Sequence, residues 1–429
     1  MGLLDYYRQF EGLSEEEVNR ELREEAAERR RKALTRVQKI DLSQTTWPEL
    51  PHANIANAIT FSARRGLQLY PYLRGSELRN ELADRHGIDP ARLILGNGAA
   101  QLLSAATRAL IEPGQELITT WPSYPLYPIM ARRAHGRAVP VSGGVDALLQ
   151  AVAEHDDTRV VAVASPNDPT GELLGVAELR RLLDGLPEGV AMLLDEALIE
   201  FADAQPIDAS LRLLEEYPRL LVFRSFSKAW GMAGLRIGYA LGGPGSEELL
   251  GELEPDLGVN ELSQAGALEA LRRASGLLAD HVRVVAVERA RLTAALRRRD
   301  FEVADSQANF LWVAHPTLEG DELAARLART GVLVAAGAAL GESRHVRIGI
   351  CNPAASDRLL TAIDGLMGGA EPSLDGEPSP DAEGSTGAEP SPDAERYADA
   401  EPSPDGESNP HAEYGPGTKP GPNAEHSPA

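Results

Sequence analysis

A single cysteine, Cys351, stands among 429 residues. That excludes an intrachain disulfide framework and any thiolate metal centre, and it suits a reducing compartment. The histidines number only nine, are scattered, and form no His-Glu-x-x-His signature, so no metal site is expected. No apolar run approaches the ~20 residues of a membrane span. Residues 1–17 mix polar and acidic side chains where a signal peptide needs an apolar segment. A cytoplasmic protein without a membrane partner is the expectation. Basic charge is also short: 42 Lys and Arg face 65 Asp and Glu, for a net charge of −23. Nucleic acids and anionic membranes are bound by basic patches, so neither is an expected partner. The acidity is unevenly spread. Beyond residue 368 there are 14 Asp and Glu against Arg396 and Lys419, so this segment carries −12 and the rest of the chain −11.

A chain of this length exceeds what one small core requires, and its composition changes along its course. Residues 14–37 are rich in Glu, Arg and Ala and lack Gly and Pro. Ser14 followed by Glu17 is a capping-box start, which predicts one long charged helix whose Arg29-Arg30-Arg31-Lys32 cluster is a solvated face. Over residues 68–245 short apolar runs alternate with helical stretches. The clearest strands are 93–95, 116–119, 160–164, 190–194 and 220–223, with helices such as 100–111 and 176–183 between them. Such alternation predicts a mainly parallel α/β sheet sandwiched by helices. A long helical region over 264–298 then precedes short strands at 310–313 and 346–348, as in a smaller α+β domain. After Met367 the sequence turns acidic and rich in Pro, Ala and Ser. Glu-Pro-Ser-Pro recurs at 377, 389 and 401, and so few apolar residues cannot bury a core, which predicts a disordered tail. The expected organisation is an N-terminal helical arm and substrate segment (1–66), a large domain (67–262), a small domain (263–368) and the tail (369–429).

Ligands of parallel sheets bind outside the carboxyl ends of the strands. Here those ends run into Gly96-Asn97-Gly98, Pro122-Ser123-Tyr124, Pro166-Asn167-Asp168, Asp195-Glu196 and Ser225-Phe226-Ser227-Lys228. The last run is the most informative. A lysine, two hydroxyls and, eight residues on, Arg236 suit an amine that bonds covalently to an aldehyde while its neighbours hold a phosphate. Lysine Schiff-base chemistry on pyridoxal phosphate (PLP) needs this set. Gly98-Ala99-Ala100 joins a strand to a helix, where backbone N–H groups and the helix dipole favour an anion. Tyr124 can stack on a flat ring or pack beside its turn. Asp195 closes an apolar run, so its carboxylate is either solvated or paired with a buried cation, of which a pyridinium nitrogen is one. The Gly-Asn-Gly turn lacks the third glycine and the acidic residue of a dinucleotide fingerprint.

Taken in order, Tyr70-Pro71, Gly96-Asn97-Gly98, Pro122-Ser123-Tyr124, residues 166–171, Asp195-Glu196-Ala197, residues 225–228, Arg236, residues 306–310 and Arg347 resemble the anchors of the class I/II aminotransferases. These are PLP enzymes of fold type I, and the nearest likeness is to the histidinol-phosphate aminotransferase-like branch. The resemblance spans residues 41–367. It implies a seven-stranded sheet between helices, PLP as cofactor, and transfer of an amino group between an amino acid and a 2-oxo acid. It further implies that Lys228 forms the Schiff base and moves the proton, and that Ser225, Ser227, Arg236 and the amides of Ala99 and Ala100 hold the phosphate. Tyr124 is implied to stack on the ring, Asp195 to pair with its nitrogen, and Arg347, with Asn309 beside it, to clamp the substrate carboxylate. Tyr70 is implied to reach the phosphate from a second subunit of a homodimer.

Three positions depart from the family. Asp168 stands where an Asn normally donates to the cofactor's phenolic oxygen, and Leu198 where a Tyr does. An ionised Asp168 facing that oxygen would repel it, so a proton is shared there or Asp168 points away. Gln44-Thr45-Thr46-Trp47-Pro48 replaces the Asn-Glu-Asn-Pro common in histidinol-phosphate enzymes, which detaches this chain from that substrate. Trp47 either lines a different side-chain pocket or packs in the interior. The altered phenolate surroundings keep a PLP-dependent decarboxylase or lyase, as in the threonine-phosphate decarboxylases, as the alternative activity. A third reading is a non-catalytic regulator on the same fold. The N-terminal region is too short and acidic for a DNA-binding module, and Lys228, Asp195, Arg236 and Arg347 are all present, which favours retained chemistry.

Overall fold

The computed structural model describes residues 20, 22–24, 27–29, 39–71, 75–273 and 275–367. Within the arm, Arg20 and residues 22–24 and 27–29 are helical; the rest of the helix expected there, and the tail, lie outside the described residues. A two-residue strand, β1 (Ile40–Asp41), follows. The main sheet contains β2 (Leu93–Gly96), β3 (Glu116–Thr120), β4 (Arg137–Val141), β5 (Thr158–Ala164), β6 (Ala191–Asp195), β7 (Leu220–Ser225) and β8 (Gly238–Gly242). Their spatial order is β2-β8-β7-β6-β5-β3-β4. Neighbours from β7 to β4 run parallel, whereas β8 pairs antiparallel with both β7 and β2. The alternation had marked every strand of this sheet except β4 and β8.

These strands read as continuous apolar runs because helices cover both faces. Side chains alternate between the faces with period two. Val161 and Val163, Met192 and Leu194, and Leu220 and Val222 enter one core, beneath the helices Val145–Glu154 and Val176–Gly185. Val160, Ala162 and Ala164, Leu193, and Leu221 and Phe223 enter the other, against the helices Ala99–Leu110 and Leu126–Arg133.

A second, antiparallel sheet follows. It has the order β12-β13-β10-β9, formed by β9 (Glu302–Val303), β10 (Phe310–Ala314), β12 (Ala335–Ala336) and β13 (His345–Gly349). β11 (Val332–Leu333) instead pairs in parallel with β1. The region expected to be helical over 264–298 is helical over Glu261–Arg273 and Ser275–Arg297, with residue 274 outside the described residues. The third core cluster joins this sheet and its helices to Leu42, Leu198 and Ala229 from the rest of the chain. The N-terminal strand thus ties itself to β11, and just beyond it the Leu42 carbonyl accepts from the Gly349 amide of β13 (2.7 Å). Among the described residues no helix is long and apolar enough to cross a membrane.

Candidate active site

All five marked strand ends deliver residues to one cavity of about 240 Å³. Register explains which side chains face it. Ala164, Asp195 and Phe223 lie side by side on β5, β6 and β7, so Ser225, two residues past Phe223, shares their face. Glu196 and Arg224 therefore point the other way. There Arg224, only 2 % exposed, donates through Nε (2.9 Å) and Nη2 (2.8 Å) to Glu196 and through Nη1 (2.6 Å) to Asp208. Burying an arginine is tolerable only with its donors satisfied, and this pair fastens the ends of β6 and β7 from behind.

At one end of the cavity is an anion cradle. Ala99 and Ala100 open the helix Ala99–Leu110, whose first N–H groups have no intrahelical partner. Gly98 has φ +85°, and a Cβ there would stand 2.4 Å from Arg236 Nη2, so only glycine lets the guanidinium approach the helix terminus. Arg236 itself sits at φ 54°, a left-handed conformation costing a non-glycine residue about 1–2 kcal/mol. Its Nη1 donates to the Ala233 carbonyl (2.9 Å) and to Ser227 Oγ (3.4 Å), while Ser225 Oγ accepts from the Ser227 amide (3.0 Å). Two hydroxyls, a guanidinium and free helix amides are the donor set of a phosphate.

Asp195 lies in the same cavity, 8 % exposed. Its Oδ2 accepts from the Tyr127 hydroxyl (3.0 Å) and its Oδ1 from the Ala197 amide (3.0 Å). Burial outweighs these bonds and pushes its pKa up to about 6. A buried carboxylate of this kind calls for a cation, and the protonated nitrogen of a pyridine ring meets that need. Tyr124 lines the wall and meets Tyr127 edge-on, with ring centroids 5.5 Å apart; burial and then the Asp195 charge push its pKa up to about 12. Lys228 opens onto the cavity too. Burial lowers its pKa, opposed most by Asp168 and then by Asp195, while Arg347 and Arg236 act with burial. Its Nζ contacts Thr45 Oγ1.

Asp168 faces the cavity and accepts at Oδ1 from Arg347 Nη1 (2.5 Å). Arg347 Nη2 donates to the Ser43 carbonyl (2.9 Å), and Phe310 lies under the guanidinium, 5.5 Å from its centre. Asn309 Nδ2 donates to the Thr45 carbonyl (2.9 Å), leaving its Oδ1 buried without a partner. Neither Arg347 nor Asn309 lines the cavity itself; Arg347 connects to it through Asp168, which does, and both hold the 43–45 segment that runs into Thr46 of its wall. Leu198 is in the wall. Trp47 is not; it stacks on His281 at 4.0 Å. Tyr70 is not brought to the cavity within this chain: it is 83 % exposed, in a surface groove with Phe61, Leu69 and Arg272.

Sequence reasoning missed Thr45, Thr46 and Tyr127. Tyr127 had a signal, three residues after Tyr124 and so one helical turn away. Thr45 and Thr46 had none beyond their place in a divergent segment.

An amine of depressed basicity, a phosphate cradle and a buried acid suited to a ring nitrogen fit PLP on a fold-type I scaffold. The model of the family described as aminotransferase class I and II matches residues 37–363, and the chain belongs to this family. It is 34 % identical to histidinol-phosphate aminotransferase 2 of Methylococcus capsulatus over 318 residues, 70 % of this chain and 83 % of the relative. It is 33 % identical to an aromatic amino acid aminotransferase of Corynebacterium efficiens over 341 residues, 77 % of this chain and 94 % of the relative. The crystal structure of histidinol-phosphate aminotransferase from Sinorhizobium meliloti in complex with pyridoxal-5'-phosphate superimposes with a TM-score of 0.68 at 25 % identity, covering 78 % of this chain and 94 % of that one. The chain is accordingly a PLP-dependent aminotransferase of the histidinol-phosphate aminotransferase-like branch, and the decarboxylase alternative is not favoured.

Proposed function

We propose that Lys228 is the residue that binds PLP covalently and carries the proton during amino transfer between an amino acid and a 2-oxo acid. The observation that carries this is the shared cavity of Lys228, Asp195 and the Ser225–Ser227–Arg236 cradle. PLP supplies an aldehyde that condenses with amines and a ring that takes up electron density from the substrate carbon. Burial favours the neutral form of Lys228, which is both the nucleophile and the base. Thr45 Oγ1, in contact with Nζ, fixes where that amine points. Asp195, oriented by Tyr127 and the Ala197 amide, would hold a proton on the ring nitrogen of PLP. Ser225, Ser227, Arg236 and the Ala99 and Ala100 amides would anchor the phosphate of PLP, with Tyr124 in the wall available to its ring. Arg347, with Asn309 beside it, receives the substrate carboxylate.

The working unit we infer is a homodimer. Phe61 (62 % exposed), Leu69 (66 %) and Tyr70 are exposed apolar side chains that line one surface groove, alongside Arg65, Arg272 and Arg273. A second copy seated there would cover it and carry Tyr70 toward the partner's phosphate cradle. The lone, buried Cys351 suits a reducing cytoplasm.

The test is the visible absorbance of protein purified with PLP, recorded before and after adding a panel of amino acids. Wild type should show a cofactor band that particular donors discharge, and Lys228→Ala should lack both the band and its discharge. A Lys228→Ala variant that retained full transamination would remove the assignment.

A further inference from the structure

The expected substrate clamp is already occupied by a carboxylate of this chain. Arg347 Nη1 is taken by Asp168 Oδ1 and Nη2 by the Ser43 carbonyl, while Nε is buried and without a partner. The two side chains are only 12 % and 14 % exposed, so solvent screens the pair little. Each terminal nitrogen keeps a second N–H, but a carboxylate arriving from outside meets a guanidinium whose charge Asp168 already neutralises, and it is Asp168, not Arg347, that lines the cavity. We propose that Asp168 is a resident counter-carboxylate that the substrate's carboxylate must displace from Arg347, which makes Asp168 the residue that sets affinity for carboxylate substrates. This rests on the role given to Arg347 above.

The surroundings make the exchange local. Asn167, immediately before Asp168, is held by three side-chain bonds: it accepts from Ser123 Oγ (2.6 Å) and donates to the Pro122 carbonyl (3.0 Å) and Thr170 Oγ1 (2.9 Å). On the other side Gly171 is seated against Ser306, where a Cβ would stand 2.2 Å from Oγ. The backbone is pinned, so Asp168 leaves Arg347 by rotating its side chain while the loop stays. Phe310 keeps the guanidinium in place for the newcomer. The family's neutral Asn at this position could not neutralise Arg347 in this way. Asp168 is also the charge that most favours protonated Lys228, with Asp195 acting alike and Arg347 and Arg236 opposed. Its movement therefore changes the charge around the reactive amine at the moment substrate arrives.

The probe is propanoate, a carboxylate with no amine or oxo group to react, with propanamide as the neutral control. Each is titrated calorimetrically into PLP-loaded wild type, Asp168→Asn and Arg347→Gln. Asp168→Asn should bind propanoate at least ~10-fold more tightly, equivalent to about 1.4 kcal/mol. Arg347→Gln should bind it more weakly than wild type, and propanamide should not distinguish the proteins. Unchanged or weaker propanoate binding by Asp168→Asn, with binding lost in Arg347→Gln, overturns the displacement while leaving the role of Arg347 standing. Unchanged binding in Arg347→Gln overturns both. Should Asp168→Asn fold poorly, Asp168→Ser makes the same comparison with a smaller neutral side chain.

Discussion

Asp195→Asn should stabilise the cofactor-free protein while weakening its hold on PLP. With its carboxyl 8 % exposed and its pKa pushed from 3.8 to about 6, ionised Asp195 destabilises the empty fold. At ~1.4 kcal/mol per pH unit the cost is about 3 kcal/mol. A carboxyl whose folded pKa is raised carries no such cost below about pH 4, where both states are protonated. The cost grows as pH rises toward about 6 and is complete above it. Asparagine removes the charge but not all the polarity. Both Tyr127 and the Ala197 amide donate to Asp195, so the new amide nitrogen meets one of these donors. The tyrosine hydroxyl can turn and accept, which leaves its own proton without a partner at a cost of about 1 kcal/mol. The expected gain is therefore about 2 kcal/mol at about pH 8, shrinking toward zero at about pH 5. Urea unfolding of the cofactor-free wild type and variant at the two pH values measures it. PLP binding should move the opposite way, because the ring nitrogen loses its anionic partner. A variant no more stable than wild type at the higher pH, or a difference independent of pH, would refute the reasoning.

Gly98→Ala should lower PLP affinity ~10-fold or more, about 1.4 kcal/mol, in an equilibrium binding assay, because its Cβ would stand 2.4 Å from Arg236 Nη2 at a φ of +85°. Arg224→Met should cost about 3–5 kcal/mol in chemical unfolding, since Glu196, 1 % exposed, is left with no cation. Adding Glu196→Leu should recover part of that loss, as the stranded carboxylate goes with its partner.

Much of the fold was legible because the helices cover both faces of the main sheet. Burial on both sides turns a strand into an apolar run, and 160–164, 190–194 and 220–223 stand out for that reason alone. The cavity was legible for a related reason. A strand that ends at a ligand must exchange apolar residues for polar ones at its carboxyl end, and Asp195 and the Ser225–Lys228 run do so. β8 and β4 were less plain. Gly238–Gly242 contains two glycines, and Arg137–Val141 alternates around a proline, so neither makes the apolar run the others make.

The amino acids by themselves determined the chemistry: a lysine, a phosphate cradle and an acid at successive strand ends, each set by its few neighbours in the chain. What only the tertiary structure decided is which distant groups meet them. Arg347 lies 179 residues from Asp168, and Thr45 lies 183 residues from Lys228. Local patterning is a matter of period and burial, whereas such pairs depend on how the smaller sheet and the N-terminal strand seat against the ends of the larger one. The substitution at 168 could be seen in the sequence as a departure, but its partner could not. In the folded chain the carboxylate is held by the guanidinium expected to receive the substrate, since opposite charges sheltered from water leave few other low-energy arrangements.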